Sequence, residues 1–138
     1  MRGYTDANRG GELDEKESIS GFVFLLNDDP ISWSSKKQSC IALSTMEAEF
    51  VAFSSAVQEA VCLKRFLDHL GVTNDASNPV LVYCDSEAVI AYTKDMKFYC
   101  KTAHIYTICK RYSCTKRSKH EVHFYARNDS RSIDKASS

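Results

Sequence analysis

Long apolar runs are missing from this chain: none approaches the roughly 20 residues that a membrane-spanning helix needs. No membrane partner is therefore expected. The first residues, Met1-Arg2-Gly3-Tyr4-Thr5-Asp6, have no apolar h-region and do not read as a signal peptide. An intracellular setting is expected, with cytoplasm and nucleus both open. Metal-binding cysteine pairs are missing too. The six cysteines, Cys40, Cys62, Cys84, Cys100, Cys109 and Cys114, include no C-x-x-C pair and no His/Cys spacing of a zinc site. Free thiols in a reducing compartment are the expectation, with Cys62 and Cys84, both in apolar segments, as small core residues. No internal repeat is present, and there is no net charge.

What remains is a chain of 138 residues, 43% hydrophobic and 26% charged, the composition of one globular domain. Its charge is unevenly placed. Between Lys94 and His120 stand Lys94, Lys97, Lys101, Lys110, Arg111, Lys116, Arg117 and Lys119, against Asp95 alone. Such a stretch can track phosphates, with Lys97, Lys101, Lys110 and Arg111 as candidate nucleic-acid contacts, although a solvated helix face reads the same way. Tyr99, Tyr106 and Tyr112 are interleaved with these lysines and can stack on bases or pack a helix.

Hydrophobic periodicity gives the elements. Residues 3–8 form a short strand carrying Asp6. Gly21-Phe22-Val23-Phe24-Leu25-Leu26 is a strand, Asn27-Asp28-Asp29-Pro30 a turn, and Ile31-Ser32-Trp33-Ser34-Ser35 the returning strand. Ser39-Cys40-Ile41-Ala42-Leu43 follows as a third strand, which makes an antiparallel three-stranded meander. Trp33 is expected on a packed sheet face rather than as a base-stacking platform. Ser44 and Glu47 have capping-box spacing. After them Ala48, Ala52, Ala56, Leu63, Phe66, Leu67 and Leu70 recur near a helical period, and Gly71 supplies a stop. Val80-Leu81-Val82-Tyr83-Cys84 is apolar on both faces, as in an interior strand. Ser86 caps a helix to Tyr92, a weaker helix spans His104 to about Arg117, and Glu121-Val122-His123-Phe124-Tyr125 is a last strand. The expected fold is α/β: a mixed five-stranded sheet, with the meander plus parallel strands, flanked by helices.

Three carboxylates occupy meaningful places on this scaffold. Asp6 lies in the first strand. Asp85 ends a central strand, where ligand sites of open α/β sheets gather. Glu49 lies in the first turn of the long helix. Glu47 and Glu49 are two residues apart and so diverge by about 200° on a helix. Glu47 belongs to the cap, whereas Glu49 shares a face with Ala52 and Ala56. Converging carboxylates repel unless a cation neutralises them, and magnesium, a hard ion that keeps exchangeable waters, suits that task. Each acid also has a local explanation, as turn former, helix cap or dipole partner.

The motifs resemble a known family. Gly3-Tyr4-Thr5-Asp6-Ala7, Ser18-Ile19-Ser20-Gly21-Phe22-Val23-Phe24 and Ile31-Ser32-Trp33-Ser34-Ser35-Lys36-Lys37-Gln38 are similar to the opening of the RNase H domain in the Pol polyproteins of copia-type LTR retrotransposons. Ala42-Leu43-Ser44-Thr45-Met46-Glu47-Ala48-Glu49-Phe50 follows that family's A-L-S-S-T-E-A-E-Y pattern, and Val82-Tyr83-Cys84-Asp85-Ser86 its next acidic strand end. The likeness is close over residues 3–92 and degraded after. It implies a single RNase H-like domain over residues 1–138, a fragment of a longer polyprotein cut short at its C-terminus. It also implies cleavage of the RNA strand of RNA–DNA hybrids during reverse transcription, beside a reverse transcriptase domain. Two magnesium ions, or manganese, would be held by Asp6, Glu49 and Asp85. The departures are local. The pattern D-A-D-W-A-G-D here reads Asp6-Ala7-Asn8-Arg9-Gly10-Gly11-Glu12. K-H-I-D here reads Ala103-His104-Ile105-Tyr106, and His104 is expected to make a structural hydrogen bond. Ile133 stands at the fourth acid, leaving Asp129 or Asp134 to serve. A decayed remnant that keeps the fold and binds nucleic acid weakly is the alternative. An unrelated α/β module would need helices between its opening strands.

Overall fold

A computed structural model describes residues 1–10, 17–72, 79–92, 112–118 and 121–126, with the backbone alone beyond residue 91. The element order is β1 (Arg2–Asn8), β2 (Ile19–Leu26), β3 (Asp29–Lys37), α1 (Thr45–His69), β4 (Val80–Cys84), α2 (Glu87–Tyr92), β5 (Tyr112–Ser118) and β6 (Glu121–Ala126). The strands form one mixed sheet in the order β3-β2-β1-β4-β6-β5. The β1–β4 pair is parallel, and the other neighbours are antiparallel. A mixed α/β architecture is thus as expected, with six strands in place of five.

The β2–β3 hairpin turns on Asn27 and Asp28, both at positive φ (51° and 70°), a conformation that short polar side chains tolerate and that matches strand twist. Pro30 is accommodated because β3 lies at a sheet edge. The meander is completed by β1, which runs antiparallel to β2 from Arg2↔Leu25 to Asn8↔Ile19. Residues 39–43, expected as its third strand, are not a strand. Gln38 turns the chain away: its N–H donates to the Ser18 carbonyl (2.7 Å), and its buried side chain donates to Ser20 Oγ (2.6 Å) and the Ala48 carbonyl (2.9 Å). The hairpin is thereby tied to the first turn of α1.

Helix α1 begins as expected. The Glu47 N–H donates to Ser44 Oγ (3.1 Å), and the Glu47 carboxylate accepts from the Leu43 N–H (2.8 Å), one residue before the position an ordinary capping box uses. The helix ends at Leu70 with Gly71 at φ 66°. Ala48, Glu49, Ala52, Phe53, Ala56, Val57, Ala60, Lys64 and Leu67 are its buried residues. Phe66 (60% exposed) and Leu70 do not join them as expected. Phe66 lies well over a quarter turn and Leu70 about a quarter turn around the helix from the buried row of Phe53, Val57, Ala60, Lys64 and Leu67, so neither faces the sheet. Cys62 is exposed on the outer side of α1, not in the core, because it is two residues from buried Ala60 and Lys64.

The core lies between α1 and one sheet face. It joins Phe24, Phe53, Ala56, Val57, Val80, Val82 and Cys84 with Val89 and Ile90 of α2. β4 is interior, with Val80, Val82 and Cys84 buried and Leu81 and Tyr83 half-buried. Ser86 caps α2, its hydroxyl accepting from the Val89 N–H (3.3 Å). Trp33 is 71% exposed, contrary to expectation. The registers set it in one cross-strand row with Val23, Tyr4 and Tyr83, on the face opposite α1, where Tyr4 and Tyr83 stack at 5.0 Å. The segment 112–118, expected as the end of a helix, is strand β5, paired to β6 from Tyr112↔Ala126. Tyr112, Cys114 and Thr115 favour extended backbone, and β6 offers a free edge. No helix among the described residues is long and apolar enough to cross a membrane.

Candidate metal centre

The site forms where the parallel strands end. β1 and β4 pair from Arg2↔Leu81 to Thr5↔Cys84, so Asp6 and Asp85 each stand one residue beyond the last pair. α1 packs across β1, β2 and β4 and delivers Glu49 from its first turn. Asp6 and Asp85 are exposed, whereas Glu49 is only 8% exposed. One oxygen each of Glu49 and Asp85 and the Cys84 Sγ lie within 4.8 Å of one another. Asp6 stands outside this tight group but within electrostatic reach of it. Glu47 is exposed, away from the site.

The electrostatics follow from the crowding. The Glu49 carboxyl is pushed up from 4.5 to about 7, first by burial and then by the charges of Asp85 and Asp6; a hydrogen bond from the Ala7 backbone draws it partly back. Its Oε2 is buried without a hydrogen-bond partner. Burial also pushes the Cys84 thiol up to about 11; the Ser86 backbone opposes this, and the charges of Glu49, Asp85 and Asp6 add to it. Thr5, opposite Cys84 on the same sheet face, has a buried hydroxyl without a partner. A buried carboxylate oxygen with nothing to accept from is costly, and a cation satisfies it. The carboxylate donor set therefore fits a hard divalent ion such as magnesium.

Two residues of which no site role was expected help to build the site. Gln38 holds the carbonyl of Ala48, the neighbour of Glu49; the signal was a polar residue directly after a basic pair, which has no pattern of its own. Arg9, where the family pattern has an aromatic residue, donates to the Leu43 carbonyl (3.2 Å) and ties the end of β1 to the start of α1. Cys84, expected as core filler, is buried but also borders the carboxylates. Asp129, Asp134, Lys97, Lys101, Lys110, Arg111 and His104 lie outside the described residues.

Over 105 residues, 76% of the chain, it is 41% identical to the retrovirus-related Pol polyprotein from transposon TNT 1-94 of Nicotiana tabacum. Over the same length it is 31% identical to that from transposon RE2 of Arabidopsis thaliana. A 61-residue part is 49% identical to secreted RxLR effector protein 161 of Plasmopara viticola, covering 44% of this chain and 43% of that protein. No protein-family model matches the chain. No solved structure matches it either. The chain spans 8% and 7% of the two polyproteins, one short segment of each. These likenesses support a retrotransposon-derived protein that corresponds to a segment of a Pol polyprotein.

Proposed function

We propose that this chain is a ribonuclease H module, which cuts the RNA strand of RNA–DNA hybrids during retrotransposon reverse transcription. The observation that carries the reading is the buried, unpartnered Glu49 carboxylate oxygen beside Asp85 and within reach of Asp6 at the ends of two parallel strands. Asp6, Glu49 and Asp85 would hold the magnesium ions, with manganese as a substitute. Bound magnesium supplies an activated water and charge stabilisation at the leaving 3′ oxygen. The chain's own part is to hold the three acids in place. Gln38, through the Ala48 carbonyl, and the Ala7 N–H hold Glu49, while Asp6 and Asp85 each follow the last pair of the β1–β4 register. Recognition of the hybrid would rest on backbone and shape, with the 2′-hydroxyl marking the RNA strand. Lys97, Lys101, Lys110 and Arg111 are the proposed phosphate contacts, and a reverse transcriptase domain is the proposed neighbour in an intracellular polyprotein.

The test is cleavage of a labelled RNA–DNA hybrid. Magnesium-dependent cutting of the hybrid and little cutting of duplex DNA are expected. Asp85→Asn should abolish it with an unchanged circular dichroism spectrum. Wild-type rates in that variant would remove Asp85 from the chemistry. The Ile133 found at the fourth acidic position favours a second reading, a module that folds but cuts weakly. Activity present with manganese and nearly absent with magnesium would mark that outcome.

A further inference from the structure

A carboxylate-only centre leaves one side chain unexplained. Cys84 is 1% exposed at the end of β4, yet its Sγ is not enclosed by apolar neighbours alone: carboxylate oxygens of Glu49 and Asp85 lie within 4.8 Å of it and of each other. We propose that Glu49, Cys84 and Asp85 form a mixed oxygen–sulfur site that takes a thiophilic divalent cation of the zinc class, in competition with magnesium.

Three observations support this beyond the clustering itself. Glu49 is more than nine-tenths buried, and its Oε2 has no hydrogen-bond partner, so a buried carboxylate that belongs to the cluster lacks a counter-group. The spacing is near what zinc needs. Bonds of about 2.3 Å to sulfur and about 2.0 Å to oxygen put tetrahedral ligands about 3.5 Å apart, so a closure of about 1 Å suffices. Asp85 is exposed, so its side chain is the one of the three not held by packing, whereas Glu49 and Cys84 are fixed by burial. Softness supplies the selectivity: thiolate favours zinc or cadmium over magnesium, which takes oxygen ligands. On binding, the thiol proton passes to solvent, a metal–sulfur bond forms, and no oxidant or reductant is required. Asp6 or water completes the four ligands. In consequence zinc acts as an inhibitor, displacing magnesium from the carboxylates that the proposed chemistry uses.

This inference rests on the preceding section in taking Glu49 and Asp85 as a cation site, but not in its substrate. The test uses the full chain with Cys40, Cys62, Cys100, Cys109 and Cys114 replaced by serine, titrated with cadmium and followed by the thiolate-to-cadmium ultraviolet band. One equivalent should bind with that band, and magnesium should weaken it. Removing a group that only hydrogen-bonds to a metal ligand costs about tenfold or more in metal affinity, so losing a ligand by Asp85→Asn should weaken cadmium at least about tenfold. Adding Cys84→Ser should remove the band. Asp85 is exposed, so its variant keeps the test valid if Cys84→Ser does not fold. Absence of the band, or cadmium affinity unchanged by Asp85→Asn, overturns the proposal and makes Cys84 a core filler. A cadmium–thiolate site in a chain that cuts no hybrid would uphold this inference and end the ribonuclease reading; magnesium-dependent cutting without the band would do the reverse.

Discussion

Glu49 concentrates the energetic conflict of this molecule in one side chain. Its carboxyl, ordinarily at 4.5, is raised to about 7 in the fold by burial, Asp85 and Asp6. Below pH 4.5 the group is protonated whether the chain is folded or not, and it costs nothing. Between pH 4.5 and 7 the unfolded chain releases the proton that the folded chain keeps, so stability falls as pH rises; above about 7 the loss is complete. Asp6 and Asp85 are solvent-exposed and screened, so the loss should be on the order of 2 kcal/mol, below what the shift alone implies. Without metal, the urea midpoint of the wild type should therefore be lower at pH 8 than at pH 5. Glu49→Gln should remove most of that difference. An equally steep decline in the variant would assign the pH dependence to other groups. That Glu47 and Glu49 face different ways was legible from helix geometry, since residues two apart cannot share a face. The proximity of Cys84 was not legible, because an apolar strand end reads the same whether its thiol meets methyl groups or carboxylates.

At the scale of elements, the placement of the site depends on how closely β1 lies against β2 under α1. Gly3 is the residue that makes room there: a Cβ would collide with the ring of Phe24, which is fully buried. Gly3→Ala should cost about 1–3 kcal/mol by overpacking, measured as a lower urea midpoint with an unchanged slope. A variant as stable as wild type would show that the ring has room to shift. Caps and turns were readable because their chemistry is local: Ser44, Ser86, Gly71 and the Asn27-Asp28 turn each act within a few residues. Strand assignment failed where partners are distant. Residues 39–43 are a short apolar run that could make a strand, but Gln38 commits its hydrogen bonds to Ser18, Ser20 and Ala48. Residues 112–118 gain strand structure only from pairing with β6.

For the whole molecule, the proposed metal binding would be linked to folding. If the proposed centre is correct, magnesium binds the native chain and not the unfolded one. At a hundredfold excess over its Kd it should add about 2.7 kcal/mol, a rise in Tm on the order of 8 °C. Asp85→Asn should lose that gain, and a wild-type Tm indifferent to magnesium would count against the centre. The face of the sheet opposite α1 shows the limit of periodicity. Alternation places Trp33, Val23, Tyr4 and Tyr83 in one row, but whether a row is covered depends on the layers packed above it, and Trp33 is exposed. The sequence by itself determined the α/β class, the hairpin, both helix starts and the segments bearing the three acids, because capping, turn chemistry and alternation act over a few residues. Only the tertiary structure decided that β1 lies parallel to β4 and that α1 sets Glu49 beside Asp85 and Cys84. Those relations depend on packing between segments tens of residues apart, and that packing has no local signature.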